Sequence, residues 1–132
     1  MDLAGSVVAT FMTWLPEAST ITTSHIGAGM QVVNIMCTRA GRAPLTVMVS
    51  ASECILEAGR GTRFELDPLP SSLHELSALA RAIVEGHLVE WVSDSRVDFQ
   101  LAAGERDVRR GGQTQGLWAR RPTTRVSYLP YC

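Results

Sequence analysis

The 132-residue chain contains no lysine; all twelve of its basic residues are arginine. A Schiff-base lysine, a lysine general base and the phosphate-holding lysine of a P-loop are therefore excluded. Cysteine is scarce too: Cys37, Cys54 and Cys132 are odd in number and show no C-x-x-C spacing. Neither a disulfide framework nor a zinc site is indicated, and a reducing cytoplasm is the expected location. No apolar run is long enough to span a bilayer. The opening stretch MDLAGSVVATFMTWLP carries Asp2 and no positive charge, so a signal peptide and membrane attachment are not expected. No internal repeat and no low-complexity run is present, and no G-x-G-x-x-G follows an apolar strand, which disfavours Rossmann-type nucleotide chemistry.

What is present is the composition of an ordinary globular domain. Apolar residues make up 45%, charged residues 19%, and the net charge is −1, values that argue against disorder. A chain of this length buries roughly two-thirds of its unfolded surface without help from metals or disulfides. One domain over residues 1–132 is expected. Arginine without lysine, with plentiful alanine and glycine, reads as the coding bias of a GC-rich bacterial genome.

Hydrophobic periodicity sets the element order. Leu3, Val7, Val8, Phe11, Met12 and Leu15 recur at helical spacing, which predicts a helix over 2–15 that stops before Pro16. STITTSHIGAGM has the composition of a connector, placing the first strand near Met30. MQVVNIMCT, PLTVMVS and the two halves of CILEAGRGTRFEL then predict a four-strand antiparallel meander, with Ala58-Gly59-Arg60-Gly61 as its last turn. After Pro68 and Pro70, Ser72 and Glu75 have capping-box spacing. Leu73, Leu76, Leu79, Ala80, Ile83 and Val84 form one stripe of a helix over about 72–86, ended by Gly86. LVEWV (88–92), RVDFQL (96–101), a short edge strand ERDVRR (105–110) and RVSYLPY (125–131) complete the chain. Strand runs separated by isolated helices predict an α+β fold: a mostly antiparallel twisted sheet with both helices packed on it.

Few residues suggest chemistry. Ser24 and His25, followed by Ile26-Gly27-Ala28-Gly29, make a site-like loop, but adjacency in sequence does not make a nucleophile and base, and a glycine-bearing connector has the same composition. Cys37 and Cys54 fall in interior strands, where cysteine acts as a small hydrophobe; Cys132 is expected to be exposed. His25, His74 and His87 lack ligand spacing, since His74 and His87 stand about 20 Å apart along a helix. No metal and no cofactor is expected. The acidic pairs Glu85 with Glu90 and Asp94 with Asp98 fit solvated faces.

The anomaly is the charge layout. Residues 1–107 hold thirteen acids against seven arginines, a net of −6, whereas residues 108–132 hold five arginines and no acid. Arg109, Arg110, Arg120, Arg121 and Arg125, with Trp118 nearby, supply forked donors and a flat apolar face suited to carboxylates or phosphates. The GQTQG stretch between them lacks the pattern of a phosphate loop. The acidic body of the domain would repel a nucleic-acid backbone, so binding nucleic acid through this cluster ranks third. Pairing of the arginines with Asp98, Glu105 and Asp107 of the same chain is the plain alternative.

No residue-level motif carries a family resemblance. At the level of architecture alone, a small α+β domain with a meander, a packing helix and polarised charge is similar to bacterial immunity proteins and secretion chaperones. The first expectation is a non-catalytic accessory or immunity-type protein that binds a protein partner, whose acidic surface the arginines and Trp118 would meet, with homodimerisation through an exposed strand edge as a further expectation. The alternative is a small-ligand binder or cofactor-free enzyme with its pocket between the sheet and the 72–86 helix, and with His25, Trp91 or Tyr128 at the mouth.

Overall fold

In the computed structural model, residues 2–27, 29–94, 96–114 and 124–131 are described. They form an α+β fold of two helices and nine strands. Helix α1 (Leu3–Phe11) starts where the Asp2 carboxylate accepts the Gly5 amide at 2.9 Å, which satisfies one of the amides left open at a helix start. Ala4, Val7 and Phe11 line its buried face. The helix ends four residues earlier than its periodicity predicts. The amides of Thr13 and Trp14 reach back only three residues, to the carbonyls of Thr10 and Phe11, and the Thr13 hydroxyl donates to the Thr10 carbonyl at 2.7 Å. This tightened turn still packs a half-buried Trp14 against the core, where its indole lies tilted at 43° to Phe11 with ring centres 5.1 Å apart and donates to the Ser77 hydroxyl at 2.9 Å.

The segment expected to be a connector is a strand. β1 (Ser19–Ile26) pairs antiparallel along its whole length with β2 (Met30–Cys37). The four threonine and isoleucine positions from Thr20 to Thr23 favour extended backbone because their branched Cβ atoms crowd a helix and fit a pleat. Gly27 and Gly29, both at positive φ, belong to the loop that joins the two strands. β3 (Leu45–Val49), β4 (Cys54–Ala58) and β5 (Thr62–Leu66) follow, so the meander has five strands in the order β1-β2-β3-β4-β5. Its inner face carries Val33, Ile35, Leu45, Val47, Val49, Cys54 and Leu56, all almost wholly buried.

Helix α2 (Leu73–Val84) ends at Gly86, whose φ is +87°. The predicted stripe is present: Leu76, Leu79, Ala80 and Ile83 have no exposed surface. The capping box does not form, because the Ser72 side chain makes no cap hydrogen bond and its hydroxyl is buried without a conventional partner. That hydroxyl lies beside the Cys54 thiol, whose pKa is raised by burial and only partly lowered by Ser72.

The remaining strands are β6 (Leu88–Val92), β7 (Arg96–Ala102), β8 (Val108–Thr114) and β9 (Thr124–Ser127). They do not extend the meander. They form a second, four-stranded antiparallel sheet in the order β8-β7-β6-β9. Pro68, Pro70 and α2 intervene in the chain after β5, so β6 begins elsewhere. β8 begins three residues later than the short edge strand expected over 105–110 and runs on to Thr114. The last strand stops at Ser127, not residue 131, because Leu129 to Tyr131 turn back onto other elements. The Leu129 amide donates to the Gly41 carbonyl and the Tyr131 amide to the Val84 carbonyl. The buried Tyr131 hydroxyl donates to the Ala43 carbonyl at 2.6 Å. No helix among the described residues is long and apolar enough to cross a membrane.

Candidate functional site

The alternation of β6 puts Leu88 and Glu90 on one face and Val89 and Trp91 on the other. Leu88 and Glu90 lie opposite Leu101 and Phe99 of β7 on the inner face. Glu90 has no exposed surface, which corrects the expectation that it lies on a solvated face; Glu85 is exposed. A buried carboxylate must have its oxygens filled with donors. Oε1 accepts from the Arg60 amide at 2.9 Å and from the Tyr128 hydroxyl, and Oε2 accepts from the Gly61 amide at 3.0 Å and the Thr62 hydroxyl at 2.8 Å. The β4–β5 turn is thereby fastened to the second sheet.

The turn sequence is fitted to this contact. Gly59 has φ +59°, and a Cβ there would collide with Glu90 Oε1 and fall 2.8 Å from the Tyr128 oxygen. A Cβ on Gly61 would fall 2.8 Å from Val97. Only glycine leaves room for the carboxylate to reach the turn amides. Tyr128 is held in its neutral form, its pKa raised by burial and by the hydrogen bond to Glu90. A carboxylate offers about four lone-pair sites, and four donors from the fold occupy them. The arrangement locks two sheets together and leaves no acceptor for a substrate proton. Sequence reasoning missed it, although one signal was legible: Glu90 shares the parity of Leu88 in a strand whose neighbours are apolar.

The arginine pole is divided by the sheet order. Arg109 and Arg110 lie on β8 and Arg125 on β9, at opposite edges of the second sheet, about 14 Å apart at the usual strand spacing. Arg109 turns to its own chain. It pairs with Asp107 at 2.8 Å, and a second nitrogen lies 3.9 Å from Glu75 of α2. Arg110 donates to the neutral Gln100 side chain at 3.1 Å. Arg125 is exposed and makes no ion pair among the described residues. Trp118, Arg120 and Arg121 lie outside the described residues, as do Ala28 and Cys132.

Register shows what shares a face. One row across the second sheet runs Arg110, Gln100, Val89, Ser127; the next runs Gly112, Asp98, Trp91, Arg125. These rows lie opposite Glu90, Phe99 and Leu101, on the sheet's outer face. Asp98 is matched by Arg96 at 2.8 Å. The face therefore presents a half-buried tryptophan between two arginines, Arg110 and Arg125, that no described acid neutralises.

The three residues expected around a ligand pocket do not converge. Trp91 is on the outer face of the second sheet, Tyr128 on the inner side against Glu90, and His25 on the exposed β1. His25 lines a groove of about 440 Å³ with Asp2, Val8 and Gln31. Between α2 and the sheets, Leu76, Leu79 and Ile83 pack in one cluster with Leu56 and Leu101. An open trough of about 660 Å³ lies where β5 meets β8, beside the edge-on pair Phe64 and Phe99 at 5.1 Å. No group of three potential metal ligands occurs among the described residues. Comparison with protein-family models, curated proteins and solved structures finds no match for this chain.

Proposed function

We propose that this is a non-catalytic accessory protein of the immunity-protein kind, acting by binding another protein, and that the outer face of the second sheet receives an acidic surface of that partner. One observation carries the reading: Trp91, Arg110 and Arg125 share a face on which no acid among the described residues neutralises Arg110 or Arg125. Tryptophan and arginine are the residues on which interface energy most often concentrates. The acidic remainder of the chain repels an acidic partner elsewhere, so the same charge division steers the partner to this face and fixes its orientation. The most heavily hydrogen-bonded acid, Glu90, is committed to holding the fold.

Affinity capture from the source organism tests the proposal, comparing the unaltered protein with an Arg110→Glu/Arg125→Glu variant of unchanged circular dichroism. One stoichiometric partner is expected at low salt, reduced by added salt because exposed charge pairs are screened, and lost with the variant. Identical proteins captured by both forms would contradict the reading. So would a metabolite that raises the melting temperature saturably while no partner is captured, which favours the ligand-binding alternative.

A further inference from the structure

β1 is the outermost strand of the five-stranded sheet, and among the described residues only β2 pairs with it. The Thr38 amide donates to the Ala18 carbonyl at 3.0 Å, in register with the eight pairs from Ser19↔Cys37 to Ile26↔Met30. Directly opposite residues in an antiparallel ladder alternate between hydrogen-bonded and non-bonded pairs. Thr20, Thr22, Ser24 and Ile26 therefore exchange bonds with β2. The amides and carbonyls of Ile21, Thr23 and His25 point away from the sheet.

Native edge strands are usually blunted by charge, proline, a bulge or a covering segment. STITTSHI contains no acid, arginine or proline, and its unbroken register leaves no place for a bulge. Two exposed apolar side chains stand on it or beside it. Ile26 is 61% exposed and Met36, opposite Thr20, is 57% exposed, and both lie on the face away from α1.

We propose that β1 pairs with β1 of a second copy of this chain, antiparallel about a two-fold axis at Thr23, joining two five-stranded sheets into one of ten strands. In this register Ile21 meets His25 of the second copy and Thr23 meets Thr23, each pair exchanging two backbone bonds. Ile26 comes beside Thr20 of the second copy, whose other neighbour is Met36 of that copy, so the exposed apolar groups gather along the seam. A second copy fits this edge better than a charged strand does. The edge has no charge for an acidic or basic strand to match, and its outward donors and acceptors meet their own copies one for one. The seam lies on the other sheet from Trp91, Arg110 and Arg125, so either reading can fail without the other.

Sedimentation velocity on the full chain from about 1 to about 100 μM, where mass action shifts any self-association, tests the pairing. Twice the monomer mass is expected at the upper concentrations. Thr22→Lys/Ser24→Lys sets like charges across the seam at exposed positions, and Thr23→Pro removes an outward amide; both variants are expected to be monomers with unchanged circular dichroism. Hydrogen exchange is expected to show the Ile21, Thr23 and His25 amides protected in the dimer and fast in the lysine variant. A monomer throughout the range, a dimer that survives both variants, or a dimer whose three amides exchange freely would overturn the proposal. So would a monomer that takes up a strand of another protein at this edge.

Discussion

Four donors from two parts of the chain, the 60–62 turn and Tyr128, meet on Glu90, and losing any one of them leaves a buried polar atom without its partner. Hydrogen bonds to charged groups contribute about 1.5–3 kcal/mol each. Glu90→Gln, which turns an NH₂ toward amides that also donate, is expected to lower unfolding free energy by about that amount or more. Tyr128→Phe is expected to cost about 1.5–3 kcal/mol, and the double variant less than the sum because both act on one network. Urea unfolding monitored by tryptophan fluorescence checks all three. The two tyrosines also set an alkaline limit. In the fold Tyr128 is raised by burial and Glu90, and Tyr131 is pushed up to about 12 by burial; unfolded, each ionises near 10. The folded state then binds more protons above pH 10, so this stabilisation is complete below about 10 and is lost as pH rises toward about 12. Absorbance at the tyrosinate band is expected to stay flat through pH 10 and rise together with unfolding. A normal titration at 10 in the folded protein would contradict it. From sequence Glu90 reads as one more surface acid: strand alternation gives it the parity of Leu88, but nothing in the sequence shows that a glycine turn thirty residues away will fill its oxygens.

Elements were legible in proportion to how far they bury themselves. α2 writes its stripe into the sequence at Leu73, Leu76, Leu79, Ala80 and Ile83 and marks its end with Gly86, and β3 and β4 alternate cleanly. β1 hides because it is an edge strand exposed on most positions, so its serines and threonines mimic a linker and only the branched Cβ atoms tell otherwise. At the start of α2 the capping-box spacing is misleading: the Ser72 hydroxyl is buried under the helix instead of reaching an amide. A functioning serine cap contributes about 1 kcal/mol. Ser72→Ala is accordingly expected to leave the urea midpoint unchanged or slightly raised, and a loss of about 1 kcal/mol would show that the cap forms in solution.

For the molecule as a whole, the α+β class and the antiparallel pairing follow from strand runs set between isolated helices. The division into two sheets does not, because it depends on where the chain re-enters after α2 and on side-chain contacts, such as Glu90 to the β4–β5 turn, that join distant segments. The charge division was plain in the sequence, yet the sheet order changes its meaning. Arginines close in sequence occupy opposite edges, Arg109 is drawn inward by Asp107 and Glu75, and Trp91, from a different strand, takes a place between Arg110 and Arg125. The proposed function requires the partner to bind at that outer face. Titration calorimetry between the purified protein and its captured partner, comparing the unaltered chain with Trp91→Ala, measures this most directly. An anchor at the centre of an interface contributes about 2 kcal/mol or more, so Kd is expected to weaken at least about thirtyfold while the melting temperature of the free variant stays close to that of the unaltered protein. An unchanged Kd would show that the partner binds elsewhere.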